Sequence, residues 1–403
     1  MHEGCLTARE LSAKGHGEPK WQEVAPWAAG PKCAIVAGRI ARLPCLGICR
    51  RIVRWFPERL GSELQSVEWL QEEEGEREVS KGGQAPNRAF SIPVAGRTLS
   101  LPAFFPSVSS LKADLIPLDY ISVLTELEYP LFLVSAFDIH DAKPPDRSSI
   151  EALLTTACAQ GTVVLLDSGR YESTWIRSQT WSAGLLASVL SVTRCPLAFC
   201  YDDYPNPQSV HDRAGAIEQA VSRDQATFPR GTVLPVIHGF PEDMPELALE
   251  VAAKTRPLMI AVPERELGEG FRERALAVRA VRAALDRTGM YIPLHLLGTG
   301  SPISILVFAL AGADSFDGLE WCNTSIDHTN ARQLHFHQAE LLSGASHPVS
   351  LAGASYVEAT LANNLIFYRK WLQVIREALV GGTAQQLASK YLSNEFRAAL
   401  RSN

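Results

Sequence analysis

Several features that mark common classes of protein are missing from this 403-residue sequence. Its apolar runs stay well below the roughly 18–20 residues that a membrane-spanning helix needs, so we expect no association with a membrane. The first residues, with Glu3, Glu10 and Lys14 among polar neighbours, lack the pattern of a secretory signal. The sequence has no low-complexity tract and no internal sequence repeat, which argues against a fibrous protein.

The cysteines and the net charge further restrict the class of protein to which the sequence can belong. The eight cysteines are scattered, and no second pair of Cys or His at zinc-site spacing accompanies Cys45 and Cys49. Several lie in apolar runs, as buried free thiols do, so we predict a reduced, cytoplasmic protein. The net charge of −6 excludes a chain that is basic throughout, but a local basic patch on such a protein can still bind nucleic acid.

The composition, with 46% hydrophobic and 20% charged residues, is that of a globular protein with a substantial core. Residues 1–88 differ from the rest, because they hold four of the eight tryptophans and the acidic run Glu72–Glu78 but show no alternation of strands and helices. One amphipathic helix is predicted at about Leu60–Glu74. This N-terminal extension is interpreted as a small accessory domain, a partly disordered segment or sequence upstream of the true start.

Beyond the extension, apolar runs alternate with helical stretches at intervals of about 20–36 residues, which is the spacing of consecutive β–α units. The predicted strands are Ala103–Val108, Leu131–Asp138, Thr162–Asp167, Pro196–Asp202, Thr232–His238, Pro257–Pro263, Ile292–Gly298 and Asp314–Leu319. Eight continuous apolar strands with helices between them favour an α/β fold, a (β/α)₈ TIM barrel over residues 89–382. An open doubly wound sheet is the alternative, but no Gly-x-Gly-x-x-Gly follows the first strand.

Helical periodicity fills the intervals between the predicted strands. The predicted helices include Ser209–Thr227, Met244–Thr255, Glu269–Arg287, Ile303–Gly312 and Glu358–Leu379. The last of these stops before Gly381 and Gly382, a usual helix-ending pair. Residues 320–355 interrupt the rhythm with a polar stretch, and residues 383–403 are predicted to form a C-terminal tail with one short helix.

Charged and polar residues end several of the predicted strands. Asp167, Asp202, Glu264 and Asp317 end or follow the third, fourth, sixth and eighth strands, and His238 ends the fifth. A single Asp at such a position is usually a turn former or a helix N-cap, and His238 could be a core histidine. In a parallel barrel, however, these ends meet at one rim, where active sites form. Two separated carboxylates there suit chemistry at a glycosidic carbon, with one as nucleophile and the other as acid or base.

Two further patterns have a functional and a structural interpretation. The set Cys322, His328, His335 and His337 could ligate a metal, but its spacings fit no common site, so we predict none. The segment Gly298–Pro302 could hold a phosphate at a helix N-terminus, although a tight turn between strand and helix explains it equally well.

Four parts of the sequence, in order, resemble the tRNA-guanine transglycosylase family, the enzymes of queuosine and archaeosine synthesis. They are Leu101–Pro106 (LPAFFP), Leu166–Gly169 (LDSG), Leu296–Pro302 (LLGTGSP) followed by Ala311–Asp317 (AGADSFD), and Asn364–Tyr368 (NLIFY) followed by Ile375–Ala378 (IREA). Together they cover roughly residues 89–382. Each motif is weak by itself, but their order and spacing make the set fairly specific.

The resemblance implies roles for particular residues. Asp317 would be the nucleophile that attacks the ribose anomeric carbon and displaces guanine, and Asp167 would be the general acid and base. Asp202 would recognise the purine edge. The remaining residues that would line the base pocket are Ser168, His238 and Gly239. The family replaces guanine in nucleic acid with a free 7-deazaguanine base and needs no ATP or other cofactor, because one glycosidic bond is exchanged for another. The target nucleotide must leave its stack to react.

Departures from the family fall on the base pocket and on the zinc site. The family's Cys-x-Cys-x-x-Cys set is missing, and Asn363 stands where its zinc-binding His is expected. Arg170 replaces a glycine after Asp167-Ser168-Gly169, and the family's Gly-Gly-Leu is replaced within Ala261–Glu264. The resemblance therefore implies a divergent, zinc-free member with altered substrate preference.

Several substrates and partners remain open on the sequence. The nucleic acid would be tRNA or, as the leading alternative, DNA. DNA is considered because the zinc region, which binds RNA in the family, is the part of the sequence that has changed. A non-catalytic partner subunit of a transglycosylase is a further alternative, although the retention of Asp167 and Asp317 argues against it. An unrelated barrel hydrolase of small glycosides is the least consistent with the ordered motifs. A homodimer or heterodimer is compatible with each of these.

Overall fold

The computed structural model describes residues 88–111, 114–203, 209–342 and 354–401, and every element given below lies within these ranges. The helix predicted at Leu60–Glu74 and the rest of residues 1–87 lie outside them. The strands are β1 Ser91–Val94, β2 Arg97–Ser100, β3 Ala103–Val108, β4 Leu131–Ser135, β5 Val163–Asp167, β6 Leu197–Phe199, β7 Thr232–Leu234, β8 Ile260–Pro263, β9 Leu294–Leu297, β10 Ser315–Gly318, β11 Thr324–Asp327 and β12 Arg332–His335.

Helices follow most of the strands. They are α1 Pro117–Glu126, α2 Ala136–Asp141, α3 Pro144–Gln160, α4 Arg170–Trp175, α5 Ala183–Val192, α6 Val210–Thr227, α7 Met244–Thr255, α8 Phe271–Asp286, α9 Pro302–Ala311, α10 Glu320–Asn323, α11 Tyr356–Val380, α12 Ala384–Tyr391 and α13 Asn394–Arg401. None of the helices in the described ranges combines the length and apolar composition that crossing a bilayer requires.

Strands β3 to β10 form one parallel sheet in the order β7-β6-β5-β4-β3-β10-β9-β8. A single parallel bridge between Val236 and Ala261 joins the chain after β7 to β8, the other edge of the sheet. There the Ile237 N–H donates to the Ala261 carbonyl at 2.8 Å, and the Ala261 N–H donates to the Pro235 carbonyl at 3.0 Å. The sheet is thereby nearly closed into a TIM-like barrel, which confirms the predicted α/β barrel over an open doubly wound sheet.

The barrel strands are apolar on both faces, as a parallel sheet covered by helices requires. In β5, Leu165 packs in an inner cluster with residues of the other strands, while Val164 and Leu166 pack in the outer cluster against the helices. The antiparallel hairpin β1–β2 adds Ile92 and Leu99 to the inner cluster. Because the hairpin leads directly into β3, it covers the N-terminal end of the barrel and leaves the opposite end open.

Several elements differ in extent from the sequence prediction, among them β4 and the C-terminal tail. Strand β4 ends at Ser135, and α2 takes over the last predicted strand residues, because Asp138 accepts hydrogen bonds from both the backbone N–H and the hydroxyl of Ser110. The tail contains two helices, α12 and α13, where one was predicted. Phe396 of α13 stacks on Phe271 of α8, with ring centroids 5.6 Å apart, so the tail packs against the barrel.

Helix α11 ties the C-terminal part of the chain to the site end of the barrel. Its N-terminus carries a capping box, in which Ser355 and Glu358 each accept a hydrogen bond from the other's backbone N–H. Farther along, the Tyr368 ring stacks on Phe104 of β3 at 4.1 Å, and its hydroxyl donates to the Gly300 carbonyl at 2.6 Å. The helix thereby holds the turn that follows β9 in place.

Candidate active site

The strand-end residues predicted from the sequence converge on one cavity at the C-terminal end of the barrel. This rim cavity has a volume of about 920 Å³. All of the predicted catalytic and base-pocket residues line it: Asp167, Ser168, Asp202, His238, Gly239 and Asp317. Residues far apart in the chain therefore face a common space, as the geometry of a parallel barrel dictates.

Asp317 lies on β10 and is held by hydrogen bonds to both carboxylate oxygens. The Ser107 hydroxyl of β3 donates to Oδ2 at 2.7 Å, and the Gly298 backbone N–H donates to Oδ1 at 3.0 Å. His295 Nε2 lies 3.2 Å from the same Oδ1. The carboxylate is 7% exposed at the floor of the cavity, so its orientation is fixed while one edge remains open to a ligand.

His295 is a site residue that the sequence reasoning missed. It lies inside β9, is fully buried, and has its Nδ1 2.8 Å from the Ser315 hydroxyl. A histidine in the otherwise apolar run Leu294–Leu297 was the available signal, because a buried polar side chain needs a partner. Here the two partners lie on β10, so His295 positions Asp317.

Asp167 ends β5 and has a different environment from Asp317. Its Oδ2 accepts a hydrogen bond from the Gly169 N–H at 2.9 Å. Burial raises the pKa of Asp167 well above its ordinary value, and the negative charges of Glu172, Asp202 and Asp317 raise it further. This environment favours the protonated form of Asp167, the form in which a carboxyl group can donate a proton.

Gly169 turns the chain between β5 and α4 and has φ of +78°. A Cβ at this position would lie 2.6 Å from the backbone nitrogen of Phe137, so only glycine fits without displacing α2. The close approach of two backbones explains why the chain has glycine directly after Asp167 and Ser168.

Two glutamates, the buried Glu172 and the partly buried Glu320, also line the cavity, and the sequence reasoning missed them as well. Glu172 of α4 is 3% exposed and accepts hydrogen bonds from the hydroxyls of Ser109 and Ser135, at 2.6 and 2.9 Å. Its pKa is raised by burial and by the charge of Asp317. Burial and the charges of Asp317 and Glu264 raise the pKa of Glu320 to about 7. The ionised forms of these carboxyls are therefore disfavoured, because each negative charge raises the pKa of its neighbours.

A chain of hydrogen bonds crosses the wall of the rim cavity beside Asp167. The Ser168 hydroxyl donates to Asp202 Oδ1 at 2.7 Å, and His238 Nε2 lies 2.9 Å from Asp202 Oδ2. The other ring nitrogen, Nδ1, lies 2.8 Å from Glu266 Oε1, and the Gly239 N–H donates to Glu266 Oε2 at 3.2 Å. Glu266 is a further residue that the strand-end rule did not find, since it lies in the turn after β8.

The carboxylates on either side of His238 set its charge. Burial lowers its pKa, but the hydrogen bonds and charges of Asp202 and Glu266 outweigh burial and raise the pKa from 6.5 to about 9. Burial likewise raises the pKa of Asp202, but His238 and Ser168 reverse that effect and the pKa is lowered overall. At neutral pH an imidazolium therefore lies between two carboxylates, and His238 faces the rim cavity with 30% of its side chain exposed, so it is not a core histidine.

The mouth of the rim cavity combines aromatic side chains with arginines. Trp175 and Phe240 are 56% and 66% exposed there, and Tyr171 meets Trp175 edge to face at 6.1 Å. Three lining arginines form ion pairs with acids: Arg170 with Asp203, Arg213 with Asp243, and Arg274 with Glu264. Exposed aromatic rings are platforms on which bases stack, and arginines contact phosphate.

Gly298–Pro302 forms a turn whose backbone contacts Asp317. Gly298 has φ of +74°, and its N–H donates to Asp317. Beyond it, a Cβ on Gly300 would lie 1.9 Å from Glu320 Oε2, so the carboxylate of Glu320 occupies the space that a side chain would need. The tight-turn interpretation fits this arrangement, and the turn also orients Asp317.

The side chains that were weighed as possible metal ligands make other contacts. The buried Cys322 thiol donates to the Leu319 carbonyl at 3.2 Å, and His328 Nε2 lies 3.2 Å from the Asn363 carbonyl oxygen. Among the described residues, no three or more His, Cys, Asp or Glu side chains are grouped so that they could hold a metal ion. In the part of the chain that the structure describes, these side chains are therefore not assembled into a set of metal ligands.

The chain was compared with models of known protein families and with curated protein sequences. No model of a known protein family matches the chain, and no curated protein sequence matches it.

Proposed function

We propose that the chain is a divergent, zinc-free enzyme of the tRNA-guanine transglycosylase type, which exchanges guanine in nucleic acid for a 7-deazaguanine. The observation that carries the proposal is the pair Asp317 and Asp167, which line one cavity in contrasting environments. One carboxylate is oriented by donors and open to a ligand, while burial and neighbouring charges raise the pKa of the other and favour its protonated form. Two carboxyl groups with separated roles are what exchange at a glycosidic carbon needs.

In the first half of the proposed reaction, an Asp317 oxygen attacks C1′ of the ribose, or of the deoxyribose in DNA. The bond from C1′ to N9 of guanine breaks, its electron pair goes to the base, and Asp167 donates its proton to the departing guanine. Ser107, Gly298 and His295 hold Asp317 in one orientation during the attack. The product is a sugar ester of Asp317 and free guanine, with Asp167 left ionised.

The second half reverses these steps with a different base. The 7-deazaguanine enters the cavity and gives its N9 proton to Asp167, which is poised to accept it. Its nitrogen attacks C1′, the ester bond breaks, and Asp317 returns to the carboxylate. Bonds and charges balance without ATP, because each glycosidic bond lost is replaced by one of the same kind.

Base recognition falls to the Ser168–Asp202–His238–Glu266 chain in this proposal. The lowered pKa of Asp202 keeps it ionised, so its free lone pairs can accept the N–H groups on the guanine edge. A site built to accept such donors rejects adenine, which presents no N–H at N1. His238 is held between two carboxylates, and this arrangement is where we place the altered base preference.

An exchange assay tests the proposal. Full-length protein is incubated with radiolabelled guanine and either unmodified tRNA or duplex DNA, and incorporation into nucleic acid is counted. We expect incorporation into one of the two, which also decides between the RNA and DNA substrates. Asp317→Asn should abolish it, while Asp212→Asn, the same change on an exposed residue of α6 outside the cavity, should leave it unchanged.

Absence of incorporation into both nucleic acids by folded wild-type protein contradicts the proposal. Binding of that inactive protein to a catalytic transglycosylase would then favour the partner-subunit alternative. Full activity of Asp317→Asn would leave exchange in place but remove Asp317 as its nucleophile.

A further inference from the structure

A second cavity lies at the end of the barrel opposite the rim cavity. Its volume is about 460 Å³, and it is bordered by Thr162 and Val163 at the start of β5 and by Pro196 just before β6. The tip of the β1–β2 hairpin, at Val94 and Ala95, forms another side. The N-terminal ends of parallel strands meet here, away from all of the residues assigned to base exchange.

Three arginines line this second cavity, which we call the arginine cavity. Arg97 begins β2, Arg194 lies between α5 and β6, and Arg230 lies between α6 and β7. All three are exposed, and none forms an ion pair with an acidic side chain of the described residues. At the rim cavity, by contrast, three of the lining arginines are paired with acids.

The backbone holds Arg97 in place across the cavity. Its Nη2 donates to the Ala159 carbonyl near the C-terminus of α3 at 3.3 Å. Its guanidinium passes over Gly161, where a Cβ would lie 1.8 Å from Nη1. The interaction with a carbonyl orients the guanidinium without neutralising its charge, so the arginine remains available to an anion.

No acidic residue is among the described residues that line the arginine cavity. Its lining therefore carries three positive charges on a chain whose net charge is −6. A concentration of one sign of charge in a concave surface costs free energy through self-repulsion unless an anion offsets it, and a concave wall focuses the field. Planar guanidinium groups pair with phosphate oxygens in a bidentate manner.

We propose that the arginine cavity binds a phosphate-bearing ligand. Its volume falls within the roughly 300–1,000 Å³ typical of small-molecule sites and also admits a backbone segment of a nucleic acid. Phosphate is the shared chemistry of both sources, and the site goes beyond the proposed base exchange, since it would bind phosphate whatever reaction occurs at the rim.

The reactivity of Cys158 can report whether a ligand occupies the arginine cavity. It is half-buried, lines the cavity with the buried Cys195, and neither forms a disulfide. A hydrogen bond from the Cys195 thiol is the largest influence that lowers the pKa of Cys158, and the charge of Arg97 lowers it further. Burial opposes these effects, but the pKa is lowered overall. We therefore expect Cys158 to react with alkylating reagents, at a rate that depends on what occupies the cavity.

The first measurement compares an anionic and a neutral reagent at Cys158. Full-length protein is treated at low salt with iodoacetate or iodoacetamide, and peptide mass spectrometry separates Cys158 from the other cysteines. We expect the ratio of the two rates to exceed that of a free cysteine peptide. Opposite unit charges about 4 Å apart in water change a local concentration by roughly fivefold, so Arg194→Ala and Arg230→Ala should each lower the ratio by up to that factor.

Arg272→Ala is the matched control, because Arg272 is an exposed arginine on α8 that does not line the cavity. It should leave the rate ratio at the wild-type value. Arg194→Lys and Arg230→Lys, which keep the charge, should retain most of the preference for iodoacetate. Since both arginines lie on exposed loops, circular dichroism should show that every variant folds.

The second measurement adds the ligand, at constant ionic strength, as pyrophosphate in one arm and as a single-stranded oligonucleotide in the other. We expect protection of Cys158 that Arg194→Ala and Arg230→Ala weaken and Arg272→Ala does not. Protection by pyrophosphate identifies a small phosphorylated ligand, and protection by the oligonucleotide at much lower concentration identifies a nucleic-acid backbone. A wild-type rate ratio equal to that of the free peptide, or protection by neither ligand, overturns the proposal. Neither result depends on base exchange, so the two proposals fail separately.

Discussion

The environment of His238 predicts how much the free energy of unfolding changes with pH. In the folded protein its ring nitrogens lie 2.9 Å from Asp202 and 2.8 Å from Glu266, and its pKa is about 9, against an ordinary value of 6.5. A group whose pKa is higher in the folded state stabilises the protein fully below the lower value. That stabilisation is lost as the pH rises through the higher one.

The size of the effect follows from these two pKa values. The difference between 6.5 and about 9, at about 1.36 kcal/mol per pH unit, sets an upper limit of about 3 kcal/mol. The His238 side chain is 30% exposed, so solvent screens part of the interaction, and we expect roughly 2 kcal/mol. Between pH 6 and pH 9.5 the wild-type protein should lose most of this free energy of unfolding.

The assay is urea unfolding of wild-type protein and of His238→Gln at the two pH values. His238→Gln removes the titrating group, so its free energy of unfolding should fall by roughly 2 kcal/mol less than that of the wild type over this pH interval. The control is His211→Gln, which removes an exposed histidine that is also paired with a carboxylate, Glu250, at 3.0 Å. It should follow the wild type.

An equal loss of stability in wild type and His238→Gln would refute the reasoning, because the histidine would then titrate alike in the folded and unfolded chains. The same outcome would remove the charged histidine from our account of base recognition. A loss of stability with pH in His211→Gln but not in the wild type would also contradict the reasoning, because this control should follow the wild type.

Three further perturbations have expected outcomes. Glu172→Gln removes a charge that raises the pKa of Asp167, so the alkaline limb of the pH–rate profile for base exchange should move to lower pH. Gly169→Ala should destabilise the protein by about 2 kcal/mol more than Gly96→Ala in thermal or urea unfolding, because both positions have positive φ but only Gly169 lies against another backbone. Ser107→Ala removes one donor from the proposed nucleophile and should lower kcat by roughly 10- to 100-fold in steady-state exchange. It should also lower the free energy of unfolding by about 1–3 kcal/mol, because a buried carboxylate oxygen loses its donor.

Much of the barrel was predictable because its strands are buried on both faces and therefore read as continuous apolar runs. The bounds of β3 and α7 agree with the prediction to the residue. The predicted strand Thr232–His238 is shorter as β7, since Pro235 has no N–H to donate and the chain beyond it pairs only through one bridge. Residue type predicts which residues are buried better than it predicts the residue at which a strand stops pairing with the neighbouring strand.

The candidate site was predictable only where a strand end supplied the residue. Asp167 and Asp317 follow from that rule, because parallel strands bring their C-terminal ends to one rim. Glu172 and Glu266 lie on a helix and in a turn, and their partners are tens of residues away, so no local pattern marks them. His295 did carry a signal, as a histidine within a buried strand, but its role depends on which strand lies beside β9.

The most direct test of the account is whether Asp317 bonds to the sugar. Full-length protein is incubated with its nucleic-acid substrate and a guanine analogue that cannot accept the sugar, then denatured rapidly and mapped by peptide mass spectrometry. We expect a ribosyl or deoxyribosyl adduct on the peptide that contains Asp317, and no adduct in Asp317→Asn. Base exchange that proceeds without this adduct, or an adduct on Asp167 instead, would contradict the account.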